Sequence, residues 1–367
     1  MLYLTLLICF LAAMLLTPII KKLAFKIGAT DRPNQRKVHQ KIMPRLGGLA
    51  IFISFLIGIT IIKPNANFPL PLGIDIDVNN LHLSIVIGSL IIILTGVFDD
   101  IKEISPKVKL LGQIIASFIV VGMGGLRVEF VNLPFGGELD FGYLSIPMTM
   151  LWIIGITNAI NLIDGLDGLA AGVSSIALFT IGAMAMVMGN PYVGVMAFIV
   201  AVSTLGFLLF NFHPAKIFMG DTGALFLGFI IAVLSLLGFK NVTFISLVIP
   251  VIILGVPISD TLFAIIRRFV NKQPLSAPDK SHLHHCLIRI GYSHKQSVLL
   301  IYAMSAVFGL AAFIFSQATL WGSLIILLAI IITVEVIVEK IGLIREDYKP
   351  LLKFIKGLKP VNLRNKL

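Results

Sequence analysis

The sequence predicts an all-α polytopic membrane protein of about eleven transmembrane helices with a small extracytoplasmic β-hairpin, and three observations predict it. Of 367 residues, 57% are apolar and 13% charged, with a mean hydropathy of +1.00, whereas a soluble domain carries about a quarter charged residues. The apolar residues come in uninterrupted blocks long enough to cross a bilayer as helices. The 29 Lys and Arg fall between the blocks, so topology explains the net charge of +11 and no nucleic-acid partner is expected. Two cysteines, Cys9 in the first block and Cys286 in a polar loop, exclude a disulfide framework.

The first block, 2–20, has no basic residue ahead of it and a basic cluster behind it. A cleavable signal peptide has the reverse order, so this block reads as a retained span. Ten more follow at 46–62, 80–98, 108–126, 146–163, 168–188, 191–211, 222–238, 243–266, 297–315 and 320–338. Segments 21–45, 99–109, 211–221, 267–296 and 339–367 then share one side and carry 26 of the 29 Lys and Arg, leaving Lys63, Arg127 and Lys240 for the other. Retention of basic residues in the cytoplasm puts the N-terminus outside and the C-terminus inside the cell membrane. Residues 127–145 alternate loosely around Gly136-Gly137 as a hairpin does, on the outside. The expected organisation is a transmembrane catalytic domain, 1–338, with cytoplasmic loops 21–45, 99–109, 164–168, 211–221 and 267–296, followed by a basic cytoplasmic tail, 339–367. That tail reads either as a solvated segment or as an amphipathic helix on anionic lipid.

Carboxylates at membrane depth are expensive to hold and mark function. Five gather at helix ends on the cytoplasmic side: Asp99, Asp100, Asp164, Asp167 and Asp221. Helix capping explains one of them, Asp221 before Thr222-Gly223, but not five. In GVFDDIKEISPKVKL, adjacent helical residues point about 100° apart, so Asp99 and Asp100 cannot both face one atom; paired acids beside a polyphosphate suit Mg²⁺. In NAINLIDGLDGLAAG, Asn158, Asn161 and Asp164 form a slowly turning stripe, and Gly165 and Gly168 carry Asp167 on a tight loop able to meet a base edge or sugar. NFHPAKIFMGDTG brings Asn211, Phe218 and Asp221 into one loop, where Asp221 can offer an oxygen to Mg²⁺ and Phe218 can stack on a flat ring, although phenylalanine is more often simply packed.

The long loop 267–296 holds four of seven histidines, His282, His284, His285 and His294. HxHH can mean zinc, but beside Lys280, Arg267 and Arg268 the imidazoles suit phosphate oxygens better. Asp260 reads as an orienting partner of that loop or as a kink residue after Pro257.

VFDD, NLIDGLDG, FMGDTG and the HLHH loop, with DRPNQRKVHQKIMPRLGG at 31–48, together resemble the polyprenyl-phosphate N-acetylhexosamine-1-phosphate transferases, glycosyltransferase family 4, along almost the whole chain. The resemblance implies an eleven-helix bundle that transfers a sugar 1-phosphate from a UDP-sugar to undecaprenyl phosphate, releasing UMP, with Mg²⁺, or Mn²⁺ in its place. It implies Asp221 as metal ligand with Asp99 and Asp100 beside it, one of that pair also serving as base. Asp164 would lie near the pyrophosphate, Asn161 among the substrate-binding residues, Asp167 and Asn211 at the uridine, and Phe218 on uracil. His282, His284, His285, Arg267 and Arg268 would bind phosphates or sugar, and Lys41 and Arg45 would lie near the nucleotide. The branch that makes the peptidoglycan precursor has three consecutive histidines where this chain has HLHH followed by CLIRIGYSHKQ, which resembles the UDP-GlcNAc branch serving teichoic acid linkage units or O-antigen. A secondary transporter would instead place ionisable residues near the midplane and show a repeat, and neither is found. Besides the two substrates and the bilayer, a homodimer is compatible with the sequence.

Overall fold

The computed structural model describes residues 1–31, 42–71, 76–132, 137–239, 244–274, 281–343 and 349–358. Its helices are Leu2–Ile27 (α1), Gly47–Ile62 (α2), the short Pro64–Asn67 (α3), Val78–Lys102 (α4), Pro106–Gly122 (α5), Ser145–Ile163 (α6), Leu169–Val187 (α7) and Pro191–Asn211 (α8). Then come Gly220–Phe239 (α9), Phe244–Ile253 (α10), Gly255–Val270 (α11), Leu283–Ile290 (α12), His294–Gln317 (α13), Leu320–Ile341 (α14) and Pro350–Leu358 (α15). Two small antiparallel pairs complete the chain. Thr30–Asp31 (β1) pairs with Met43–Pro44 (β2), and Phe130–Asn132 (β3) pairs with Glu138–Asp140 (β4), with Val131 opposite Leu139. The second pair is the hairpin expected at 127–145, its tip at 133–136 lying outside the described residues.

Each of the eleven expected blocks coincides with helix, which makes this a multi-span membrane protein. Among the described residues nine helices are long and apolar enough to cross a membrane singly, and ten with one bent pair counted as a span. The remaining block is α5, with 17 residues. The bent pair corrects the sequence reading: the block at 243–266 is not one straight helix but α10 and α11, meeting at 84°. Pro250 within α10 and Pro257 near the start of α11 both lack an N–H, and the chain breaks between them at Leu254. Asp260 is therefore not the kink residue; it sits inside α11, downstream of the break.

The core sits around α9, whose apolar span is wholly buried, whereas only 11% of the α14 span is. A helix apolar on every side belongs inside a bundle, and small residues let its neighbours approach. A Cβ on Gly48 of α2 would lie 2.1 Å from the Gly223 Cα of α9, and one on Gly96 of α4 would lie 2.4 Å from the Thr222 Cα. The backbone bonds Gly47 N–H to Phe218 O and Gly48 N–H to Met219 O (3.0 Å each) dock the start of α2 on the approach to α9. Because successive spans alternate in direction, the C-terminal ends of α4, α6 and α8 share one end of the bundle with the N-terminal ends of α2, α5, α7, α9 and α13. All the described candidate residues lie at that end or on α11 and α12. The opposite end carries simple polar ties, such as His82 Nδ1 to the buried Tyr192 hydroxyl at 3.0 Å and Asn190 Nδ2 donating to Leu237 O at 3.2 Å.

Candidate active site

The last turn of α4 and the first turns of α5 and α9 meet around one ammonium group. Lys109 Nζ donates to Asp99 Oδ2 at 2.9 Å and to Asp221 Oδ2 at 2.5 Å. The other oxygen of Asp221 accepts from Asn161 Nδ2 of α6 at 3.2 Å. Asp164 caps the C-terminal end of the same α6, one turn beyond Asn161. Loss of hydration pushes the Asp164 carboxyl up to about 7, repulsion from Asp221 and Asp100 adds to it, and Arg45 opposes it. Carboxylates from α4, α6 and α9 thus converge on a region where Lys109 and Arg45 are the nearby cations. An all-oxygen donor set with negative charge in excess is what a hard divalent cation such as Mg²⁺ takes while keeping several waters. The bridging ammonium between Asp99 and Asp221 marks where positive charge is demanded, so the residues fit such an ion.

Asp100 does something else. Its Oδ1 accepts from Asp221 N–H at 3.0 Å, and its Oδ2 accepts from Thr222 N–H at 3.0 Å and from the Thr222 hydroxyl at 2.6 Å. It holds the first turn of α9 from outside, satisfying donors that a helix start leaves open. Gly220 makes this possible: its φ is +72°, and a Cβ there would lie 2.3 Å from Asp100 Oδ2. The sequence reading expected the adjacent acids to diverge, one at the reaction centre and the other beside it. Asp99 faces the shared hollow, and Asp100 positions Asp221.

The DGLDG turn is tied down on its other flank. Asp167 Oδ2 accepts from Ala215 N–H at 3.1 Å and lies 2.8 Å from His213 Nδ1, while Asp167 N–H donates to His294 Nε2 at 3.0 Å. Gly168 N–H donates to Asn211 Oδ1 at 3.1 Å, and the Tyr302 hydroxyl donates to Gly168 O at 2.5 Å. Asn211 is buried and its amide N–H₂ goes to Ile217 O, so both ends of the side chain serve the backbone in this conformation, not an open nucleoside pocket. Asn158, part of the expected stripe, pairs with Gln113 of α5 at 2.7 Å and is a bundle contact. Phe218 is half-buried and its backbone is bridged to Arg45. Arg45 itself lies 3.5 Å from Asp31 and 4.0 Å from Glu103, at the rim of the acid hollow. Lys41 lies outside the described residues.

Histidines approach the turn from α12. Asp260 of α11 accepts from Leu283 N–H at 2.7 Å, and its other oxygen lies 2.9 Å from His282 Nδ1, so it orients the start of α12. His284 is buried, its Nε2 has no hydrogen-bond partner, and that atom lies 2.3 Å from where a Gly165 Cβ would be. Burial, aided by the neighbouring His285, pushes His284 down to about 3. It is therefore a neutral imidazole at ordinary pH, able to give or accept one hydrogen bond but not to bring charge. The His285 ring packs on it with centroids 4.2 Å apart. Arg267 departs from expectation: it is buried and donates to Leu343 O at 2.6 Å, bracing α11 against the end of α14. Arg268 is half-buried, with its Nε unpartnered.

Sequence reasoning missed Lys109, His213 and Tyr302, and it counted His294 only among the loop histidines. Lys109 alone left a signal, being a lysine inside the block that follows VFDD. Nothing local marks the others, because their partners are 46 to 134 residues away.

The sequence profile of glycosyl transferase family 4 matches residues 82–239. The chain is 51% identical over 350 residues to the probable undecaprenyl-phosphate N-acetylglucosaminyl 1-phosphate transferase of Bacillus subtilis (strain 168), covering 95% of this chain and 94% of that one. It is 34% identical over 353 residues to the decaprenyl-phosphate N-acetylglucosaminephosphotransferase of Mycolicibacterium smegmatis, covering 89% and 84% of the two chains. To the undecaprenyl-phosphate alpha-N-acetylglucosaminyl 1-phosphate transferase of Salmonella typhi it is 28% identical, over 78% of this chain and 76% of that one.

Proposed function

The chain belongs to glycosyl transferase family 4, and from that membership we propose that it transfers N-acetylglucosamine 1-phosphate from UDP-GlcNAc to undecaprenyl phosphate, releasing UMP. The observation that carries the chemistry is the convergence of Asp99 and Asp221 on the Lys109 ammonium, with Asp164 close enough to Asp221 and Asp100 to be repelled by both. In the reaction an oxygen of the lipid phosphate bonds to the β-phosphorus of the UDP-sugar, and the bridging P–O bond breaks toward UMP. Both partners are anionic, so the site's task is charge neutralisation by groups already in place. Asp221 and Asp99 are the residues suited to hold Mg²⁺, which when bound offsets the charge on the pyrophosphate. Asp99, with one oxygen on Lys109, is the base for a lipid phosphate that is partly protonated near its second pKa of about 6. Asp100 keeps Asp221 aimed through the start of α9. His284, His285, Arg268 and Arg45 face the donor's phosphates and sugar, with His284 giving a neutral N–H. Phe218 and the free oxygen of Asp167 are assigned to the uridine. A bound phosphate monoester is already a nucleophile, which favours direct attack over an aspartyl-phosphate intermediate; exchange of labelled UMP without lipid acceptor would refute that.

The split of Lys and Arg, 26 against 3, supports a cytoplasmic site and an outward N-terminus in the plasma membrane. The product would start a lipid-linked envelope glycan such as a teichoic acid linkage unit. The test supplies purified enzyme with undecaprenyl phosphate, Mg²⁺ and a panel of UDP-sugars and measures UMP. Release with UDP-GlcNAc and not with UDP-N-acetylmuramoyl-pentapeptide is expected; the reverse preference, or no release at all, overturns the proposal.

A further inference from the structure

The last helix, α15, takes no part in the acid hollow, and its start is fastened to the end of a membrane span. That span, α14, faces its surroundings along most of its length, with only 11% of its apolar stretch buried. It runs from the exposed Trp321 near its start to Lys340 in its last turn. An indole at one end and a lysine at the other are what a helix carries where it passes from hydrocarbon into headgroups. The same last turn holds Glu339, which is wholly buried. Its two oxygens accept from Leu351 N–H at 2.6 Å and Leu352 N–H at 2.7 Å, in the first turn of α15. A carboxylate at the edge of a bilayer is expensive unless such bonds answer it, and the open N–H groups of a helix start favour negative charge. The two bonds therefore make α15 begin at headgroup depth.

What α15 brings to that depth is two-sided. In the sequence, apolar residues at 351, 354, 355 and 358 recur at the spacing of one helical face, and lysines at 349, 353 and 356 at the spacing of the other. The segment has no acid of its own. Phe354 is 65% exposed, and Lys349 and Lys353 are exposed beside it. A bare phenylalanine ring gains by entering the acyl boundary, while lysine stems reach back to the headgroups with their charge hydrated. The charge then selects among lipids: near an anionic surface each basic residue strengthens binding roughly fivefold.

We propose that α15 is an interfacial helix that binds anionic phospholipid, with Phe354 at the acyl boundary and Lys349 and Lys353 on lipid phosphates. The end of α14 also braces α11 and α12, since Arg267 donates to Leu343 O and Arg289 Nη2 to Gly342 O at 3.5 Å. Bound lipid thus adds an anchor to the segment that holds the histidine-bearing helix.

The test measures amide hydrogen exchange of residues 349–358 in the full-length protein, reconstituted in lipid nanodiscs. Discs of phosphatidylcholine alone are compared with discs that also contain phosphatidylglycerol. Exchange is expected to slow at least about fivefold in the anionic discs, and the difference should vanish in roughly 1 M salt. The unaltered protein suffices for this comparison. The double variant Lys349→Glu, Lys353→Glu should lose the difference while its UMP release in detergent stays unchanged. Equal exchange in the two lipids would show a solvated tail and overturn the proposal. So would a difference that survives high salt or the double variant. Protection that rises with the number of chains per disc, and not with phosphatidylglycerol, would assign the face to a second copy and likewise overturn it. The readout is exchange and not sugar transfer, and both leaflets of a disc share one composition, so neither the donor assignment nor the proposed orientation affects the result.

Discussion

Two clusters flank one short turn of this protein, and they differ in the atoms they present. On the side of Asp164, carboxylate oxygens of α4 and α9 are bridged by a single lysine, and the Asn161 amide of α6 donates to one of them. On the side of Asp167, three residues along, one carboxylate sits between two stacked imidazoles and a backbone amide. The first has negative charge in excess and suits a hard cation together with phosphorylated substrates. The second sets its carboxylate against nitrogen groups and works as a fastening. Two aspartates in one DGLDG turn therefore have different jobs because each is turned toward a different set of partners.

The largest effect expected from breaking this contrast is at Asp221. Asp221→Asn removes one charge from the oxygen-only cluster and should lower UMP release by about 10²-fold or more while abolishing its response to Mg²⁺. Near-normal turnover with the metal response intact would refute the assignment. Next comes Gly165→Ala, whose Cβ would collide with His284 Nε2 at 2.3 Å. Displacing the imidazole from the turn should cost roughly 10–100-fold in turnover, and an unchanged rate would mean that α12 and the acid hollow do not act as one site. Asp167→Asn touches the other flank: the half-saturating concentration of UDP-sugar should rise about tenfold, more than turnover falls. If it does not move, Asp167 is a fastening only.

The smallest effect is read in stability. His284 is held neutral down to about 3, while an unfolded chain takes up that proton near 6.5. Below about 6.5 the unfolded state therefore binds more protons, and stability falls as pH drops toward about 3, by about 1.4 kcal/mol per pH unit for this one group. His284→Gln should flatten the thermal unfolding profile of the detergent-solubilised protein by that slope; an identical profile would show that the imidazole is not buried as described.

Much of the bundle was legible beforehand, because a span announces itself by composition alone: the blocks from 2–20 to 320–338 coincide with helices, and strands Phe130–Asn132 and Glu138–Asp140 pair within the segment where alternation predicted a hairpin. The block at 243–266 misled because hydropathy is blind to direction, and prolines at 250 and 257 turn an apolar run through 84°. In the site, Asp99, Asp164 and Asp221 were identifiable as acids at helix ends. The separate fate of Asp100 was not, since geometry says only that neighbours on a helix diverge and not which one meets the Thr222 hydroxyl. Lys109 showed only as a lysine inside an apolar block, because its role exists only where it meets Asp221, 112 residues later.

By itself the sequence determined that this chain crosses the membrane many times, that its bases favour one side, and that its acids and histidines gather at helix ends on that side. These are properties of composition and order along the chain, enforced by the price of placing charge in hydrocarbon. Tertiary structure alone decided which acid faces the hollow and which braces α9, that Asn211 and Arg267 hold backbone, and that Asp167 lies between two imidazoles. Such roles depend on direction and on distances of a few ångströms between remote segments, and only packing sets those.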